Sequence, residues 1–235
     1  MTSEVDVWTV LIPMKPLAEA KTRLRESQQV GATPSASDLA QAFLRDVISA
    51  AQGAVRTSRV VVTGEDPAIA TLARQSGARF LPEPTATAVG DHDKTSLNAA
   101  IAAALGSVKA EYGSHPIVVV TGDLAALRSE SLDSILSAVE DLGESGFVAD
   151  TAGTGTTMLA LLPTTAANPR FGSDSAAAHR SQGIRDVSHH AGADARLDVD
   201  TPADLHAALI LGVGSHTERV MTQRSKIGGA GYPIE

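Results

Sequence analysis

The 235-residue chain contains no cysteine. Disulfides, thiolate metal sites and cysteine nucleophiles are excluded, so its chemistry must rest on oxygen and nitrogen groups. Aromatic residues make up only 3%. The core must therefore come from alanine, valine, leucine and isoleucine, and few rings remain on which nucleic-acid bases could stack. No apolar run reaches the roughly 18 residues needed to cross a bilayer. The amino terminus, MTSEVDVWTV, lacks the basic region of a secretory signal. The expectation is a soluble, cytoplasmic protein. Basic residues are outnumbered 27 to 19 by acids, giving a formal net charge of −8. Such a chain is a poor partner for nucleic acid, and an anionic substrate must be met by a local basic site against the overall field. Neither a P-loop nor a G-x-G-x-x-G fingerprint is present. A nucleophile elbow and a zinc-binding histidine spacing are missing as well.

What is present is a regular alternation. Residues 7–12, 58–63, 78–81 and 117–120 are short apolar runs that read as strands. Residues 39–51, 67–75, 96–108 and 129–142 carry helical spacing, with Ser37 or Asp38 as the expected cap of the first. All-apolar strands of this length between helices indicate a parallel sheet covered on both faces. Strands at 147–150, 158–162, 184–187 and 197–199 follow, with helices at 175–182 and 201–211. The pattern predicts an α/β fold: a single three-layer αβα domain, Rossmann-like with a mostly parallel sheet, over residues 1–211. Residues 212–235 show no core pattern and read as a surface or disordered tail.

The chemistry-bearing residues cluster near strand ends. The basic segment MKPLAEAKTRLR, residues 14–25, holds Lys15, Lys21, Arg23 and Arg25. Lys21 and Arg25 share a helical face, whereas Lys15 lies directly after the first strand, beside two prolines. The segment reads as a triphosphate grip or as a solvated basic face. Asp123 follows Gly122 at the end of an apolar strand. A carboxylate there suits magnesium, which takes one or two carboxylates plus phosphate oxygens, or else it caps the next helix. In LDVDTPADL, residues 197–205, Asp198 and Asp200 would share one face of a strand. The same segment also reads as a helix cap, with Asp204 in the first turn. GTGTT (153–157) and FGSDS (171–175) are glycine turns whose N–H groups and hydroxyls suit small anions, or are a plain hairpin and cap. His179 shares the face of Ser175 and is placed either near the substrate or, as such a histidine more often is, at the surface. His189 and His190 alternate across a strand end and cannot serve one site. Ligands of open α/β sheets bind beyond the carboxyl ends of the strands, so the basic segment and Asp123 are expected on one sheet edge.

Taken in order, IPMKPLAEAKTRL, SLNAAI, VVVTGDLAAL, GTGTT, FGSDSAAAH and LDVDTPADL resemble the 2-phospho-L-lactate / phosphoenolpyruvate guanylyltransferase family of coenzyme F-420 biosynthesis. The resemblance covers about residues 7–211 and extends to the fold of nucleotide-diphospho-sugar transferases. It implies GMP transfer from GTP to phosphoenolpyruvate or 2-phospho-L-lactate, with release of pyrophosphate and Mg2+ as cofactor. The alanine-rich, cysteine-free chain resembles actinobacterial members of the family, and by that resemblance phosphoenolpyruvate is the favoured acceptor. By the resemblance, Lys15, Lys21 and Arg23 hold the triphosphate and, with Asp123, are the catalytic set. Asp123, Asp198 and Asp200 bind the metal. Thr157, Gly172 and Ser175 line the acceptor site, and Ser96 and Asn98 lie near the base. Ala125 replaces a proline common in the family and predicts a looser loop. A homodimer and hand-off of the product to the next enzyme of the pathway are compatible with this reading. Transfer to a sugar phosphate or to molybdenum cofactor is the alternative activity. A non-catalytic nucleotide-binding protein is the alternative from another class.

Overall fold

The computed structural model describes residues 7–17, 24, 34–83, 97–165 and 168–227, with side chains as far as Thr222. Strand β1 (Trp8–Pro13) is buried at every position. It lies between β2 (Thr57–Gly64) and β4 (Ile117–Val120), parallel to both. Its side chains alternate as the period of two requires. Val10 and Ile12 join Val118 and Val120 in one apolar cluster, while Leu11, Ile117 and Val119 face the other. A strand covered on both faces has no polar side, which is why these runs are apolar throughout.

The strand order is β3-β2-β1-β4-β6-β5-β7, with β3 at Arg79–Pro82, β5 at Gly146–Ala149, β6 at Thr156–Leu161 and β7 at Arg185–Asp186. Of the described pairings, only those of β6 are antiparallel. Helices α1 (Ala36–Gly53), α2 (Pro67–Gln75) and α4 (Ser129–Leu142) pack on one face of the sheet. Helices α3 (Leu97–Tyr112) and α5 (Ser175–Ser181) pack on the other. The result is the expected three-layer αβα sandwich. The order turns back between β1 and β4, and the switch point of an open sheet is where its ligand crevice forms.

Local chemistry sets the helix starts. Ser35, not Ser37 or Asp38, caps α1, and Asp38 returns the bond to the Ser35 backbone. Asp66 caps α2 ahead of Pro67. Thr201 and Asp204 form the same reciprocal box at α6 (Pro202–Leu211). Ser129 is the first residue of α4, and its hydroxyl donates to the Ala50 carbonyl (2.8 Å).

Four expectations are corrected. Residues 197–199 join no ladder; they are an irregular segment held by Val199 N–H on the Asp123 carbonyl (3.2 Å). The strand expected at 184–187 shrinks to two residues. His189 and His190 belong to a 3-10 turn, Ser188–His190. The expected surface or disordered tail instead contains helix α7 (Ser215–Ile227). Thr217 is fully buried there, and Val220 and Met221 pack against Leu39 and Phe43 of α1 and their neighbours. No helix among the described residues is long and apolar enough to cross a membrane.

Candidate active site

The end of β1 is fixed from two sides. Met14 N–H donates to the Thr63 carbonyl (2.8 Å), and Leu17 N–H donates to the Asp66 carboxylate (3.0 Å). Lys15 lies between these anchors and is exposed. A Cβ at Gly122 would overlap the Met14 sulfur, so glycine is what lets the end of β4 close against the end of β1. Asp123 follows. The loop after it is not loosened by Ala125: that residue is fully buried, and its carbonyl accepts Gly214 N–H (2.9 Å).

These strand ends border a cleft of about 660 Å³. Lys15, Asp123, Gly172, Asp198 and Asp200 all line it, although the sequence spreads them over most of the chain. Neither acid group is a helix cap. Thr201 caps α6, and α4 starts beyond Arg128, whose N–H donates to the distant Asp194 carboxylate (3.0 Å). Arg196 secures the acidic segment by donating to the carbonyls of Ala149 (3.1 Å) and Asp150 (2.8 Å). Lys21, Arg23, Arg25 and Ser96 lie outside the described residues.

Three expected site residues do not line the cleft. Thr157 is buried and donates its hydroxyl to the Ala195 carbonyl (2.8 Å). Its neighbour Thr156 takes the cleft-lining position, at the irregularity where Ala149 pairs with Thr156 and Thr157 is passed over. Asn98 spends its amide on the Phe171 backbone, accepting the N–H (2.7 Å) and donating to the carbonyl (2.9 Å). It thereby anchors the FGSDS turn. Ser175 is fully buried at the start of α5, and its hydroxyl has no hydrogen-bond partner among the described residues. One residue on, Ala176 N–H donates to the Thr154 carbonyl (3.0 Å), joining the two glycine turns.

Two contributors escaped the sequence reading. Asp150, at the tip of β5, lines the cleft and accepts Thr154 N–H (2.9 Å). A Cβ at Gly155 would overlap its carboxylate. The signal was an acid at another strand tip, four residues before a threonine. The second is His179, favoured for the surface but fully buried. Its ring bonds Thr156 Oγ1 through Nδ1 (3.0 Å) and accepts Arg170 N–H at Nε2 (3.1 Å). Burial lowers its pKa from 6.5 to about 4. The folded state therefore binds fewer protons than the unfolded chain between these values, and stability falls as pH drops through that window. H179Q is expected to lose this one-proton component when thermal midpoints are compared from pH 7 to 4.

Among the described lining residues, four carboxylates (Asp123, Asp150, Asp198 and Asp200) face one lysine. Such a cleft repels phosphate unless a cation offsets it. The acids offer hard oxygen donors only. No group of three or more acids or histidines converges among the described residues. Two carboxylates plus substrate oxygens is the donor set that magnesium accepts, so the residues present fit that ion.

The profile of a family described as "Guanylyl transferase CofC like" matches residues 8–226. A phosphoenolpyruvate guanylyltransferase from Streptomyces scabiei is 39% identical over 210 residues, covering 89% of this chain and 94% of its own. One from Mycobacterium leprae is 39% identical over 212 residues, covering 90% and 93%. Among solved structures, a protein from Desulfovibrio desulfuricans assigned as a nucleotide-diphospho-sugar transferase superposes with a TM-score of 0.65 at 14% identity, covering 94% of this chain and 96% of its own. A 4-diphosphocytidyl-2C-methyl-D-erythritol synthase superposes with a TM-score of 0.57 at 14% identity, covering 87% and 98%. Likenesses of this kind speak for the fold.

Proposed function

The chain belongs to the family of CofC-like guanylyl transferases, and from that premise we propose that it transfers GMP from GTP to phosphoenolpyruvate in coenzyme F-420 biosynthesis. The observation that carries this reading is the layout of the cleft. Lys15, the glycine turns around Thr156 and Gly172, and the acids all line the same cleft. Two anion-binding corners beside one set of acids is what joining two phosphorylated substrates requires. Phosphoenolpyruvate is preferred over 2-phospho-L-lactate because the relatives cited above carry its name.

The acceptor phosphate is anionic near neutral pH, so its oxygen attacks the α-phosphorus of GTP without a general base. A new P–O bond forms as the bond to the bridging oxygen of the β-phosphate breaks, and pyrophosphate leaves with the electron pair. The protein's task is to align two polyanions and offset their charge. Lys15 supplies positive charge to the triphosphate. The turn N–H groups and the Thr156 hydroxyl receive the acceptor, and Ser175 brings a further buried hydroxyl at the same turn. Asp123 with Asp198 or Asp200 would hold magnesium, which when bound supplies neutralisation between the reacting phosphates.

The test is pyrophosphate release with magnesium, crossing GTP, ATP, CTP and UTP with phosphoenolpyruvate, 2-phospho-L-lactate or no acceptor. Release is expected with GTP and phosphoenolpyruvate together. Absence of release with GTP and either acceptor would overturn the reading, and release with a sugar phosphate instead would replace it.

A further inference from the structure

The buried histidine takes no part in the reaction just described, yet its bonds lead directly to the cleft. Its Nε2 accepts the Arg170 N–H (3.1 Å). A ring nitrogen that accepts carries no proton, so in the neutral imidazole the proton sits on Nδ1. Nδ1 faces Thr156 Oγ1 at 3.0 Å. The imidazole is thus the donor and the threonine oxygen the acceptor. Phe147 and Phe171 pack against the ring, with centroids 5.8 and 5.6 Å away, and hold its plane.

The consequence falls on the other side of the hydroxyl. Thr156 has one proton to give, and Nδ1 of His179, already protonated, cannot accept it. The hydroxyl makes no second hydrogen bond among the described residues, and the residue lines the cleft. We propose that His179 is a positioning residue: it sets the polarity of the Thr156 hydroxyl, turning it outward as a donor to an anionic group of the acceptor. This inference rests on the guanylyl-transfer reading of the cleft. Were the ring proton elsewhere, the hydroxyl could donate to the ring and present a lone pair to the anion. The same group would then repel what it now binds.

Two conservative substitutions separate this role from simple packing. In H179N the amide NH2 takes the place of Nδ1–H and still donates to Thr156. In H179Q the carbonyl reaches toward the Nε2 position and keeps the Arg170 contact, but Thr156 loses its donor. Steady-state kinetics with GTP and phosphoenolpyruvate, on full-length variants checked for wild-type secondary structure, provides the readout. H179Q and T156V are expected to raise the acceptor KM by roughly tenfold or more, the worth of one hydrogen bond to a charged group. The KM for GTP should stay within about twofold, because only acceptor binding is lost. H179N and T156S should remain within about threefold of wild type in acceptor KM, since each keeps the donor chain. The double variant H179Q/T156V should be no worse than T156V, because the histidine acts through that hydroxyl.

An active wild type with unchanged acceptor KM in H179Q overturns the inference alone. So does equal loss in H179N and H179Q, or additive loss in the double variant. A wild-type chain that turns over neither phosphoenolpyruvate nor 2-phospho-L-lactate overturns the guanylyl-transfer reading and the inference with it.

Discussion

D123N is expected to lower kcat by on the order of 10²–10³, the effect of losing several kcal/mol of transition-state neutralisation. The substitution is nearly isosteric, and two backbone bonds that fix the loop do not depend on the side-chain charge. The Asp123 carbonyl accepts the N–H groups of Ala125 (3.0 Å) and Val199 (3.2 Å), and both bonds survive. The fold should therefore be kept, and a wild-type thermal midpoint would show it.

The sign of the effect on binding is more telling than its size. Four carboxylates and one lysine are found among the described lining residues. If the acids acted only through their own charge, removing one would weaken repulsion and tighten GTP binding. If Asp123 holds a cation, the same change weakens binding, but only when the cation is supplied. Calorimetry with GTP should show D123N binding more weakly than wild type in magnesium. With the metal chelated, the variant should bind no more weakly than wild type. Tighter binding by D123N in both conditions would remove Asp123 from the metal site.

The site was legible in the sequence where it depends on strand ends. Lys15 and Asp123 follow all-apolar runs, and parallel strands deliver their carboxyl ends to one edge. Nothing beyond strand type is needed to bring those two together. Thr156 was missed because of an irregularity in the ladder. Strand β6 was expected to begin at residue 158, but it begins at Thr156, and its pairing with β5 passes from Met158 to Thr156 without Thr157, so simple alternation does not tell which threonine meets the cleft. The GTGTT turn was found, while the threonine that faces the cleft was not distinguished from its neighbour. His179 was missed because α5 is short and alanine-rich, so no apolar stripe marks its inner face. The fate of Asn98 depended on a backbone 73 positions away, a distance no local pattern reports. Asp204 is the converse case: T-P-x-D is a local capping signal, and the structure uses it as one.

D46A is expected to destabilise the protein by about 2–4 kcal/mol, the cost of losing a helix cap that leaves one part-buried and one buried donor unpaired. Asp46 lies within α1 and is only 4% exposed. Its two carboxylate oxygens accept the N–H groups of His216 and Thr217, both at 2.9 Å. These are orphan donors of the first turn of α7, and the residue ahead of that helix, Gly214, has no side chain to serve them. A Cβ at Gly214 would overlap the Asp46 carboxyl, so the cap is supplied from 170 positions away. This is why the segment after residue 212 showed no helix signal: its cap is not in the segment. The carboxylate also meets the positive end of the α7 dipole, a favourable charge–dipole contact. The loss should lower the thermal midpoint by roughly 2–4 °C per kcal/mol in a chain of this size. A second measurement separates capping from damage to α1. In a chain ending before Ser215, Asp46 has no N–H groups to receive, and D46A should then be neutral or stabilising, a reversal that only coupled sites produce. An equal cost in both backgrounds would show that Asp46 serves α1 itself and that α7 is held by its apolar contacts alone.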